Sequence, residues 1–209
     1  MKRILTTFMV LAAGLTMLAP AMNAQSNTGD ARAAQRQKNV EDWKNDMAKF
    51  KAKIQEDHKL NELADSIASI QAIAAIRNKD FVLEAENVTF NSGNTVLVSS
   101  TTNFISVKGN RAVVQISPSN FASGPNGVGG VTVDGIISDQ QIRTDSKGRI
   151  TFSMNVTGIG INAQVEIYMF PGSNQANATV YPNFNSNTVW LQGEIVPYEN
   201  SNVFEGSSL

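Results

Sequence analysis

Apolar and polar residues alternate along the last third of the chain. Within residues 150–157 the even positions Ile150, Phe152, Met154 and Val156 are apolar and the odd ones polar. The next segment keeps the rule, with Ile161, Ala163, Val165, Ile167 and Met169 alternating with Asn162, Gln164, Glu166 and Tyr168. A period of two predicts strands with one buried face. Parity then sets a register. A connection built on Gly158-Ile159 puts Val156 opposite Ile161, Phe152 opposite Val165 and Ile150 opposite Ile167. The turn Pro171-Gly172-Ser173-Asn174 sets Val165 against Val180 and Ile167 against Ala178, and the 182–187 loop sets Val180 against Val189 and Ala178 against Leu191. The expected core rows are Phe152-Val165-Val180-Val189 and Ile150-Ile167-Ala178-Leu191. A slip by one residue would turn both rows outward.

The same signals run back to residue 80. Strands are predicted at 80–88 and 95–99 around Asn91-Ser92-Gly93-Asn94, and at 103–107 and 111–116 around Gly109-Asn110, a two-residue hairpin signal. Pairing Lys108 with Arg111 sets Val107 against Ala112 and Ile105 against Val114. Residues 131–134 and 139–145 read as strands about a bend at Gly135. Ser146-Lys147-Gly148 then makes a hairpin that pairs Ile142 with Phe152. The fold class expected is mainly β (α+β): an antiparallel meander of about eight to ten strands, barrel-like or sandwich, over residues 80–199. Residues 200–209 are expected as a flexible tail.

The period changes to helical upstream, in a helical segment spanning 25–79. Val40, Trp43, Met47, Phe50 and Ile54 are spaced by three and four, one stripe of an amphipathic helix. Leu60, Leu63, Ile67, Ile70 and Ala74 repeat the spacing out of phase, which predicts two helices, or one with a break near Glu56-Asp57-His58. The favoured expectation is that the stripe covers a face of the following sheet; a coiled coil or partner-binding helix is the alternative. His58, between Asp57 and Lys59, reads as a surface residue.

Residues 1–24 have the form of a signal peptide: Lys2 and Arg3, an apolar segment at 4–18, and small residues ending at Ala21 or Ala24 for cleavage. Export to the periplasm or cell surface follows as an expectation, with no stable membrane span left after cleavage. A membrane β-barrel is disfavoured, because Tyr168, Tyr181 and Trp190 fall on the polar phase whereas aromatic girdles face lipid.

Composition removes several chemistries. The 209 residues carry a formal net charge of -1, one His and no Cys. That balance gives no basic face for nucleic acid. No disulfide, thiolate zinc site, thiol nucleophile or lipid-modified cysteine is available, nor a multi-His metal cluster within one chain. No cofactor, metal or catalytic set is expected. The strand carboxylates Glu84, Glu86, Asp134, Glu166 and Glu194 all sit on the polar phase.

Two candidate sites remain. The glycine-rich stretch 117–130 is a candidate functional loop through Phe121, Asn126, Gly127, Gly129 and Gly130. It is not a phosphate cradle, because strand rather than helix follows and no Lys is present. The polar face of the meander gathers Thr151, Glu166, Thr179 and Trp190 in one expected row, with Tyr168 and Tyr181 nearby. Glu166, Tyr168, Thr179, Tyr181 and Trp190 form a candidate ligand or docking face. A carboxylate beside aromatics builds a sugar-binding surface, and it equally builds ordinary cross-strand pairs.

Four segments, Phe81-Val82-Leu83-Glu84-Ala85, Asn103-Phe104-Ile105-Ser106-Val107-Lys108-Gly109-Asn110, Gly127-Val128-Gly129-Gly130-Val131 and Val189-Trp190-Leu191-Gln192-Gly193-Glu194-Ile195, together resemble a domain family of unknown function widespread in exported proteins of Bacteroidetes-type bacteria. The resemblance covers residues 80–197 and implies an exported β-rich domain without an assigned activity. At Ser117-Pro118-Ser119-Asn120-Phe121 the chain departs from the aromatic-rich centre associated with that family. The leading expectation is therefore a non-catalytic envelope protein with a binding or structural role, its partner a protein or a small apolar ligand. A lipocalin-like carrier of an apolar ligand is second and a glycan-acting hydrolase third.

Overall fold

A computed structural model describes residues 28–117, 130–159, 162–183 and 187–207. Among these residues are one α-helix, nine strands in an antiparallel sheet and a short 3-10 helix at Tyr198–Asn200. The helix, α1 (Thr28–Asn78), is continuous. The expected break at Glu56-Asp57-His58 is absent, because these polar residues are exposed and interrupt no buried face. The chain divides into two compact units inside this helix, one ending at Ile54 and one beginning at Gln55. In the first, Val40, Trp43, Phe50 and Ile54 are exposed.

In the second unit α1 stops at Lys79, which takes the left-handed conformation (φ 57°) that ends many helices. The Lys79 amide returns to the Ile76 carbonyl at 3.1 Å. From there the strands follow in chain order: β1 (Asp80–Phe90), β2 (Thr95–Leu97), β3 (Phe104–Lys108), β4 (Arg111–Ile116), β5 (Val131–Thr144), β6 (Ile150–Gly158), β7 (Asn162–Met169), β8 (Gln175–Pro182) and β9 (Val189–Pro197). They pair in the order β2-β1-β3-β4-β5-β6-β7-β8-β9, and β9 also pairs with β1. Eight strands thus close into an antiparallel barrel, with β2 as an extra strand on β1. Closure removes the edges that an open sheet would expose.

Interior positions are filled. The core gathers Phe81, Leu83, Ile105, Val107, Val114, Ile150, Phe152, Met154, Val165, Ile167, Val180 and Leu191, with Ala72, Ala75 and Ile76 from α1. These helix residues replace the expected covering stripe. Leu60, Leu63, Ile67 and Ile70 are exposed, and Ala72, Ala75 and Ile76, nearly opposite them on the helix, pack against the strands instead. Phe81 and Phe152 meet edge to face at 5.3 Å. Their strands are four steps apart in either direction round the ring, so this pair joins opposite walls of the barrel.

Most expected registers are found: Lys108 with Arg111, Ile105 with Val114, Ile142 with Phe152, Val165 with Val180 and Ala178 with Leu191. The β6–β7 pairing is displaced by two residues. Phe152 pairs with Ile167, Met154 with Val165 and Val156 with Ala163, because pairing ends at Thr157 and Asn162 and leaves a longer connection than the expected one. The core rows become Met154-Val165-Val180-Val189 and Phe152-Ile167-Ala178-Leu191. β5 runs through Gly135 as one strand. Its irregularity falls between Ser138 and Gln141, where Asp139 has φ 51°.

A second, smaller cluster lies on the outside: Val82, Phe104 and Val113, packed by Val196, Tyr198 and Val203. Residues 201–206, part of the expected flexible tail, are held over this face. Phe204 donates its amide to the Thr101 carbonyl at 2.7 Å, and Ser201 donates its hydroxyl to Glu84 at 2.6 Å. The Arg111 guanidinium grips both Asp134 oxygens at 2.8 Å and also bonds Glu205. The Asp134 hydrogen bonds above all, with Glu205, raise the Arg111 pKa further above its ordinary value.

Candidate functional site

Alternation on β7, β8 and β9 places Glu166, Tyr168, Thr179, Tyr181 and Trp190 on the barrel's outer surface, since their sequence neighbours belong to the core. Pairing brings them together. One row runs Ser153-Glu166-Thr179-Trp190-Thr89 across β6, β7, β8, β9 and β1. The shifted β6 register replaces the expected Thr151 with Ser153 in this row. Thr151 instead begins the row Thr151-Tyr168-Asn177-Gln192, and Gln164 pairs with Tyr181.

Thr179 sits at the centre, flanked in register by Glu166 and Trp190, and is only 8% exposed although it faces outward. Tyr168, Tyr181 and Trp190 are each 41% exposed. These large side chains thus keep a broad part of their surface in solvent. The Tyr168 hydroxyl donates to Glu166 Oε2 at 2.6 Å, within the short range of bonds to a carboxylate. That bond, reinforced by partial burial, raises the Tyr168 pKa above the ordinary tyrosine value. The carboxylate is held in place and Tyr168 is kept protonated. Such a surface offers aromatic planes, one anchored acceptor and the amides Gln164, Asn177 and Gln192 within a few residues. Aromatic residues of this kind present an apolar body with a polar tip.

The loop candidates Phe121, Asn126, Gly127 and Gly129 lie outside the described residues. Gly130 is described: it has φ 67°, and a Cβ there would stand 2.0 Å from the Ile116 carbonyl oxygen, so its glycine serves a backbone crossing. His58 is exposed on α1 with Nδ1 3.2 Å from Glu62. Among the described residues no group of three His, Cys, Asp or Glu could hold a metal ion, and no helix is long and apolar enough to cross a membrane.

Two features escaped the sequence reading. A cavity of about 290 Å³ lies where α1 meets the end of β9, lined by Gln71, Ala74, Asn78, Asp80, Glu199 and Asn200. Its lining comes from segments far apart in sequence, which no local motif marks. The other is the buried polar cluster of Asn103, Gln115 and Thr132 under the C-terminal segment. Only the proximity of that segment distinguishes these positions from ordinary polar-phase residues.

Residues 65–195 match the DUF4251 family, described as a domain of unknown function. The crystal structure of a DUF4251 family protein from Bacteroides eggerthii DSM 20697 is similar, with 45% sequence identity and a TM-score of 0.61. The similarity covers 68% of this chain and 96% of that one. No curated protein matches the chain.

Proposed function

The chain belongs to the DUF4251 family, and for this member we propose an exported, non-catalytic protein that binds carbohydrate on the outer face of β7, β8 and β9. The carrying observation is the Tyr168–Glu166 hydrogen bond beside the half-exposed Tyr181 and Trp190. A sugar ring has apolar C–H faces and a polar hydroxyl rim. The aromatic planes suit the former and the anchored carboxylate with its neighbouring amides suits the latter. Binding on an open face also fits long glycan chains, which need no enclosing pocket.

Export is supported by Lys2, Arg3, the apolar segment 4–18 and the small residues before Ala21 and Ala24. The non-catalytic reading is supported by what flanks Glu166. Its cross-strand partners are Ser153 and Thr179, and the amides Gln164 and Asn177 follow, whereas glycoside hydrolysis ordinarily uses two carboxylates about 5–10 Å apart. The Phe81–Phe152 contact across the interior favours an outer ligand over one held inside the barrel.

The test is affinity gel electrophoresis against a panel of soluble neutral and acidic polysaccharides. At least one should retard the protein, and Trp190→Ala or Tyr181→Ala should abolish the retardation without changing the circular dichroism spectrum. Unretarded migration on every polysaccharide, or retardation that survives both substitutions, would overturn the proposal.

A further inference from the structure

Every Lys and Arg of the chain lies before residue 150. Residues 150–209 carry four glutamates, Glu166, Glu194, Glu199 and Glu205, and no Lys, Arg, His or Asp. β6, β7, β8 and β9 fall wholly inside this stretch, so the outer face they build has carboxylates and amides but no cation of its own. At its centre Glu166 is held by the Tyr168 hydroxyl. At one end Glu194 stands directly opposite Glu84 of β1, a placing of like charges that ordinarily costs stability. Glu194 accepts from the Gln175 side-chain amide at 2.7 Å and Glu84 from the Ser201 hydroxyl at 2.6 Å. All three carboxylates are partly buried. Among the described residues each is met by a neutral donor and none by a cation.

Basic residues stop at the margin of this face. Arg143 of β5 pairs with Thr151, which pairs with Tyr168. It therefore stands two strands from Tyr168, about 10 Å at the usual strand spacing. Its guanidinium donates to the Gln141 side-chain oxygen at 2.7 Å. Arg149 is occupied by Asp145, also at 2.7 Å.

We infer that this face selects its glycan by charge: it takes uncharged sugar chains and turns away those that carry uronate or sulfate groups. The inference rests on the carbohydrate reading above and adds the ligand class. Recognition of an anionic sugar ordinarily calls on Arg or Lys for charge-assisted hydrogen bonds to its oxygens, and neither residue type occurs on these four strands. The carboxylates act in the opposite direction. A sugar carboxylate or sulfate about 10 Å from Glu166 would weaken binding on the order of tenfold, at the effective dielectric of a protein surface. Hydroxyl groups meet no such opposition. They can donate to Glu166 and exchange hydrogen bonds with Gln164, Asn177 and Gln192, whose side-chain amides both donate and accept.

Calorimetric titration of the protein with matched polymers tests this. The polymers are a β-glucan, a galactomannan and a soluble starch, each uncharged and again after oxidation of a fraction of its primary alcohols to carboxylates. At about 0.01 M salt, where charges act over about 30 Å, an uncharged polymer should bind and its oxidised form should bind about tenfold more weakly. At about 1 M salt, where that range falls to about 3 Å, the two should draw together. Gln192→Lys and Asn177→Lys each place a cation at an exposed position in the row that holds Tyr168. Either should reverse the preference at low salt, with the thermal unfolding of the barrel retained. An oxidised polymer bound as tightly as its parent, with Trp190→Ala abolishing both, would overturn selection by charge and leave the binding face standing. So would a gap unmoved by salt and by both lysine substitutions, because lost hydroxyl contacts would then account for it. Binding of no polymer in either form would overturn the carbohydrate reading itself, and this inference with it.

Discussion

The side-chain amide of Gln115 donates to the backbone carbonyl of Phe204 at 2.9 Å, tying the end of β4 to a residue near the end of the chain. The same nitrogen donates to the Thr102 carbonyl at 3.1 Å, while Oε1 accepts from Thr132 Oγ1 at 3.1 Å and from the Gly206 amide at 2.8 Å. Both ends of the amide are thus engaged, and Gln115 is fully buried. Its neighbour in this network, Asn103, accepts from the Ser117 amide at 2.7 Å and donates to the Ser117 carbonyl at 3.0 Å. Gln115→Ala should cost about 2–3 kcal/mol, because buried partners lose their bonds. Chemical denaturation gives the stability. Hydrogen exchange should show the protection of residues 201–206 lost first.

The barrel interior should be sensitive at its midpoint. Phe152→Ala removes one ring of the pair that bridges opposite walls, and large-to-small changes of this kind cost about 3–5 kcal/mol. Denaturant unfolding checks it. A loss below about 1 kcal/mol would mean that the neighbouring Met154 and Ile167 refill the space.

Gly193 marks where β1 and β9 accommodate a bulge between Ala85 and Asn87. A Cβ at Gly193 would stand 1.9 Å from the Glu84 carbonyl oxygen, which is backbone and has little freedom to move. Gly193→Ala should therefore destabilise the closing seam by about 1–3 kcal/mol, the usual range for overpacking. By contrast, Gly172→Ala meets nothing within 4 Å, and its cost arises from its positive φ of 80°. A thermal melt of the two variants separates a steric loss from a conformational one.

How much of this was legible in the sequence depends on the kind of information each element carries. Alternation identifies faces, so the inward Phe152, Val165 and Val180 and the outward Glu166 and Trp190 are readable from parity. A two-residue displacement preserves parity, which is why the β6–β7 register was not readable while its faces were. Closure rests on β9 meeting β1 across more than a hundred residues of sequence, and no local pattern distinguishes that from a sandwich. The stripe on α1 was legible as a stripe, but the residues that dock, Ala72, Ala75 and Ile76, lie on the opposite side of the helix. Gln115 looks solvent-facing by alternation; only the returning C-terminal segment buries it. In the candidate face, the sequence supplied the residues and their common side, whereas the Tyr168–Glu166 bond required the side-chain positions.

That bond has a pH signature. The protonated Tyr168 hydroxyl is favoured in the folded protein, so its folded pKa lies above the ordinary value. The stability it contributes is present below the unfolded tyrosine pKa of about 10 and is lost as pH rises through the folded value. Absorbance titration of the three tyrosines should show one ionising later than an unperturbed tyrosine. In Glu166→Gln that late transition should move down, because the carboxylate acceptor is gone. An unchanged late transition would place its cause elsewhere.

The central claim is that the outer face of β7, β8 and β9 is the binding surface, and Trp190 reports on it directly. The chain has two tryptophans, so in a Trp43→Phe background the emission belongs to Trp190 alone. Titration with an oligosaccharide that binds the protein should give a saturable blue shift of that emission, as a sugar ring displaces water from the indole. The shift should weaken strongly in Glu166→Gln and vanish in Tyr181→Ala. Binding detected by calorimetry with the Trp190 emission unmoved would contradict the account and put the ligand on another surface.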